Sequence, residues 1–102
     1  SVYDKRRLDL TFGVAYASDL AKVQAALEKI VAAESRAHKD PAPLVSVSAL
    51  NQSSVDFLVR VWCDASDYLS LKFDLTRQVK ETFDAEGIEI PFPTTTILTS
   101  KD

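Results

Sequence analysis

The strongest constraint on this chain's fold is the order in which its hydrophobic period changes. Leu8, Leu10, Phe12, Val14 and Tyr16 alternate with Asp9, Thr11, Gly13 and Ala15, a period of two that predicts a half-buried strand. Leu20, Val23, Leu27, Ile30 and Val31 then follow at helical spacing, with Lys22, Glu28, Lys29 and Arg36 on the outer side. The period returns to two in Val45, Val47 and Ala49. It stays at two in Val55, Phe57, Val59, Val61 and Cys63, the longest apolar alternation in the chain. A second helical stripe comes next: Tyr68, Leu71, Leu75, Val79 and Phe83. Ile88 to Pro93 and a β-prone tail from Thr94 to Thr99 close the chain. The order β-α-β-β-α-β predicts an α+β, ferredoxin-like sandwich. Its two helices cover one face of a mostly antiparallel sheet, with the first and third strands central.

Local signals place the boundaries. Ser18-Asp19 supplies helix-start chemistry, with the Ser18 hydroxyl as acceptor for first-turn N–H groups. The first helix is expected to run to His38-Lys39, because Asp40 precedes Pro41 and is biased away from helical angles. Asn51-Gln52-Ser53-Ser54 reads as a turn. Asp64-Ala65-Ser66-Asp67 starts the second helix, and Gly87 ends it where a left-handed residue costs little. Pro91 and Pro93 lack N–H donors, so Ile90 to Pro93 reads as a rigid extended spacer. The domain thus covers residues 1–93, followed by a β tail over 94–102. This tail docks as an edge strand or closes a barrel with other subunits.

Composition enters as a filter on function. The chain of 102 residues has 12 Lys+Arg against 15 Asp+Glu, a formal net charge of −3, and 46% hydrophobic residues. A packed domain fits this balance, whereas a duplex-binding surface needs a basic stripe. No apolar run approaches the roughly 20 residues that span a bilayer, so no membrane insertion is expected from this stretch itself. Methionine is absent and the chain begins Ser1-Val2-Tyr3, which reads as an excised piece of a longer protein.

Catalytic chemistry is thin. The single histidine, His38, is expected as a solvated residue at a helix end. The single cysteine, Cys63, lies on the core-facing parity of the third strand, as a small hydrophobe would. One His and one Cys make a poor transition-metal set, and two glycines cannot build a phosphate-cradling loop. No catalytic residue, cofactor or metal site is therefore assigned, and the chain is read as a non-enzyme.

The face opposite the helices is expected to carry Asp9, Thr11, Ala15, Ser46, Ser48, Asp56, Leu58, Arg60 and Trp62. One aromatic among neutral and acidic groups is no nucleic-acid platform. Leu58 and Trp62 on that face read either as covered by a loop or the segment around Tyr3, or as part of a subunit or domain interface. Phe92, Thr95 and Ile97 join them as candidate interface residues.

Three stretches carry a family resemblance: Gly13 to Asp19 (GVAYASD), Val55 to Asp64 (VDFLVRVWCD) and Phe83 to Pro93 (FDAEGIEIPFP). In this order and spacing they resemble the C-terminal cytoplasmic domain of the small-conductance mechanosensitive channel family. The resemblance implies a homo-oligomeric channel of the inner membrane, typically a heptamer, that opens under tension to release ions and osmolytes. It implies membrane-spanning helices and a β domain upstream, and a role for this domain in assembly and in lining the vestibule. It also implies that Thr94 to Thr99 form a barrel strand. The turn from Asn51 to Ser54 lacks the family's common glycine, and Thr94 stands where glutamine is frequent. A rival reading is a ligand-sensing ferredoxin-like domain that binds a small molecule at a subunit interface.

Overall fold

A computed structural model describes residues 4–92. The elements are β1 (Lys5–Val14), α1 (Leu20–Ala32), β2 (Leu44–Leu50), β3 (Val55–Asp64), a short 3-10 turn (Ala65–Asp67) and α2 (Tyr68–Glu86). The three strands form one antiparallel sheet in the order β1-β3-β2. The α+β architecture with two helices on one face is as the periodicity predicts.

Packing follows the strand parity. Val55, Phe57, Val59, Val61 and Cys63 on β3 are all buried, as are Leu8 and Val14 on β1. Val23, Leu27 and Val31 of α1 and Leu71, Leu75, Val79 and Phe83 of α2 close over them. Phe12 meets Phe83 edge-on, with ring centroids 6.4 Å apart, a geometry favoured by the ring quadrupoles. At the start of α2 the Arg6 guanidinium lies 3.7 Å from the centroid of the Tyr68 ring.

Gly87 ends α2 with φ 71°, in the left-handed region. The Gly87 N–H reaches the Asp84 carbonyl at 3.4 Å and the Ile88 N–H reaches that of Phe83 at 2.8 Å. These two bonds satisfy carbonyls that the helix end would otherwise orphan, and they fold buried Ile88 back onto buried Phe83.

Several expectations are corrected. Asp19, not Ser18, caps α1: its Oδ1 accepts from the N–H groups of Ala21 at 3.1 Å and Lys22 at 3.3 Å. A carboxylate at that end also meets the positive pole of the helix dipole. The helix stops at Ala32, well before His38. Glu34 captures the Arg36 backbone N–H and guanidinium, a local side-chain turn that competes with further helix. His38 is consequently not a helix-end residue. Its N–H donates to the Trp62 carbonyl at 2.7 Å and its Nε2 lies 2.8 Å from Asp64 Oδ1.

Among the described strands β3 is the central one, with β1 on one side and β2 on the other. Ile88 to Phe92 form no strand. One rung survives, the Ala15 N–H donating to the Glu89 carbonyl at 3.0 Å, before Pro91 removes a donor. The tail proposed as edge or barrel strand, 94–102, lies outside the described residues, as does Tyr3. Ala49 also departs from its expected face. The register shifts between Val47 and Ala49, so Val47 pairs with Phe57 while Ala49 pairs with Asp56. Such a bulge inverts parity within one strand.

Candidate functional site

The sheet face that the helices leave bare is built by every second residue of β1 and β3. Arg7 pairs with Trp62, Asp9 with Arg60 and Thr11 with Leu58 across the antiparallel register. On β2, Leu44 sits opposite Arg60 and Ser46 opposite Leu58. Leu58 and Trp62 are thus on one face, four residues apart on β3, and both are half-buried. Between them Arg60 Nε lies 2.9 Å from Asp9 Oδ1, and Arg7 Nε lies 3.3 Å from Asp9 Oδ2. The centre of this face is therefore a shared-carboxylate ion cluster flanked by apolar side chains. Phe92, beyond α2, is 81% exposed. Thr95 and Ile97 lie outside the described residues, so of the five candidate interface residues the structure brings together Leu58 and Trp62.

The turn between β2 and β3 closes one end of this face. The Asn51 N–H donates to the Ser54 carbonyl at 2.8 Å, and Ser54 Oγ donates to Asp56 Oδ1 at 2.9 Å. Asn51 Nδ2 reaches the other Asp56 oxygen, and the Tyr16 hydroxyl donates to the Asn51 carbonyl. Gly13 fits against this cluster, because a Cβ there would stand 3.1 Å from Asp56 Oδ1 and 3.2 Å from Ser54 Cβ.

The reactive side chains Cys63 and His38 differ in their surroundings. Cys63 is fully buried. Burial, then the carboxylates of Asp67 and Asp64, push its thiol pKa up, the opposite of an activated nucleophile. His38 has an orienting carboxylate in Asp64, yet the adjacent Cys63 points to the other side of the sheet. Among the described residues no group of three His, Cys, Asp or Glu side chains could hold a metal ion.

A groove of about 530 Å³ runs between the helices over Ala26, Ile30, Ala33 and Ala85. Two of its three carboxylates are engaged, Glu34 by Arg36 at 2.8 Å and Glu81 by Arg77 at 3.0 Å, and the third is Glu86. Arg36 also reaches Asp74 on α2 at 3.0 Å and Ser70 Oγ at 3.2 Å. It thereby ties the segment after α1 to the second helix, a role that helical spacing alone did not indicate. A second omission is Leu69 and Phe73, which lie off the buried stripe of α2 and stand 60% and 63% exposed. A helical projection of residues 68–86 shows both outside the stripe.

Comparison with known proteins connects this architecture to a family. The sequence pattern described as "Mechanosensitive ion channel MscS, C-terminal" matches residues 8–90. An uncharacterised MscS family protein of Synechocystis is 40% identical over 89 residues, covering 87% of this chain and 30% of the relative. The small-conductance mechanosensitive channel of Edwardsiella ictaluri is also 40% identical over 89 residues, covering 87% of this chain and 31% of that protein. The crystal structure of Helicobacter pylori MscS in its closed state superposes with a TM-score of 0.81 at 27% identity, over 88% of this chain and 36% of that one. The chain spans about a third of the length of the relatives it matches. Among the described residues no helix is long and apolar enough to cross a membrane. The chain belongs to the MscS mechanosensitive channel family and corresponds to the family's C-terminal domain.

Proposed function

We propose that this domain is a wall element of a homo-oligomeric cage on the cytoplasmic side of a small-conductance mechanosensitive channel. The longer protein sits in the inner membrane, carries membrane-spanning helices and a β domain upstream, and opens under tension to release ions and osmolytes. Within it this domain holds neighbouring copies in register, as a heptamer, and lines the vestibule. Leu58 and Trp62 on the bare sheet face, with Phe92, Thr95 and Ile97 beyond α2, contact neighbouring copies. The tail over 94–102 contributes an edge or barrel strand.

The observation that carries this reading is the family match across residues 8–90, joined to a two-layer fold that leaves one sheet face uncovered. An isolated domain with Leu58 and Trp62 on that face gains by covering them. The test expresses the longer protein in cells lacking their own mechanosensitive channels. Survival of osmotic downshock, together with a purified mass of seven chains, is the expected result. A monomeric protein that gives no protection contradicts the proposal.

A further inference from the structure

We propose that the cavity where α1, the connection after it and β2 meet is a binding site for an aliphatic α-amino acid, whose ammonium meets Glu28 and whose carboxylate meets Lys39. The cavity has a volume of about 360 Å³, at the small end of the range for small-molecule sites. It follows from how the chain leaves α1. The helix ends at Ala32, and the chain reaches the sheet only at His38, whose N–H donates to the Trp62 carbonyl at 2.7 Å. Residues 39–43 are exposed, and the sheet resumes at Leu44, opposite Arg60. The apolar lining of this gap is Val31, Ala32, Ala37, Pro43 and Val45, whose small side chains leave the space unfilled.

Polar contacts hold the walls, so the space is formed before a ligand enters it. Gln24 Nε2 donates to the Val45 carbonyl at 2.6 Å and to Glu28 Oε2 at 3.0 Å. It thereby ties α1 to β2 and holds Glu28 beside the cavity. Arg36 anchors the connection to α2 through Asp74 at 3.0 Å and Ser70 Oγ at 3.2 Å.

Charge selects the class of ligand. The titratable side chains that line the cavity are Glu28, Glu34, His38 and Lys39. Glu34 is neutralised by Arg36 at 2.8 Å, and His38 Nε2 lies 2.8 Å from Asp64 Oδ1. Among the described residues Glu28 meets only the neutral amide of Gln24, and Lys39 has no partner. Asp40 is exposed beside Lys39 and does not line the cavity. One uncompensated carboxylate and one uncompensated ammonium therefore border an apolar floor. A ligand that satisfies all three carries both charges and a short aliphatic body. A purely anionic, cationic or apolar molecule leaves at least one charge unmatched.

Titration of the 102-residue chain with leucine, followed through its amide NMR spectrum, tests the site. Saturable shifts should centre on Val31, Ala37, Lys39 and Val45. Both charges stay in contact with water, so the expected dissociation constant is about 1–10 mM. Isocaproate lacks the ammonium and isoamylamine lacks the carboxylate, and each should bind at least about fivefold more weakly than leucine. Glu28→Gln should abolish the preference for leucine over isocaproate, and Lys39→Gln the preference over isoamylamine. Both side chains are exposed, so the circular dichroism spectrum and unfolding midpoint of these variants should stay in place. The absence of saturable shifts up to the solubility limit of leucine overturns the inference. So do shifts centred elsewhere, or a preference for leucine that survives either substitution.

Discussion

Asp9 on β1 and Arg60 on β3 sit directly opposite each other in the antiparallel register, and their ion pair of 2.9 Å occupies the sheet face that the helices leave bare. Arg7 shares the same carboxylate. Both partners keep about a third of their side-chain surface, 33% for Arg60 and 36% for Asp9. A double-mutant cycle of Asp9→Asn and Arg60→Gln in the isolated monomer should therefore give a coupling of about 1 kcal/mol or less, declining in salt. A coupling of several kcal/mol, insensitive to salt, would show that something covers this face even in the single chain.

The Glu34–Arg36 pair makes stability depend on acid. The side-chain hydrogen bond from Arg36 outweighs desolvation and holds the Glu34 carboxyl below its ordinary 4.5. A depressed folded-state pKa adds stability above the unfolded value, and that contribution is lost as pH falls through the folded one. Glu34→Gln should therefore cost stability at pH 7, and the gap to the native chain should close well below pH 4.5. Urea unfolding at pH 7 and pH 3 checks this; an equal gap at both values would remove the electrostatic account.

Phe83→Ala and Phe73→Ala separate the two sides of α2. Phe83 is fully buried and stacks edge-on against Phe12, so its truncation should cost about 3–5 kcal/mol. Phe73 is 63% exposed, and its truncation in the monomer should stay within about 0.5 kcal/mol. Similar losses at both positions would mean that the outer side of α2 is covered within a single chain.

The two glycines respond to substitution for different reasons. At Gly87 nothing lies within 4 Å of an added Cβ, but φ is +71°, so Gly87→Ala should cost about 1–2 kcal/mol through backbone strain alone. Gly87→Asn should recover part of it, since asparagine tolerates the left-handed region. At Gly13 the obstacle is contact, because an added Cβ meets Asp56 and Ser54 at 3.1–3.3 Å. Thermal unfolding of Gly87→Ala, Gly87→Asn and Gly13→Ala ranks the two causes.

Much of this architecture was legible because burial imposes period. Val55 to Cys63 alternate without a break and become the central strand, and Leu71 to Phe83 recur at helical spacing and become the buried stripe of α2. Where side chains outcompete local propensity, the pattern misleads. Glu34 and Arg36 end α1 early through contacts that no periodicity encodes, and Asp64 draws His38 away from any helix end. Ala49 looks inward by simple alternation, yet the bulge before it moves it to the face of Asp56. Leu58 and Trp62 were placed on one face by parity.

The most direct test is a patch-clamp recording from membranes holding the longer protein that includes this domain. Graded suction on a patch free of other mechanosensitive channels should evoke discrete currents above a tension threshold and none at rest. Purified protein that inserts into the bilayer and stays silent up to the tension at which the patch ruptures would contradict the account.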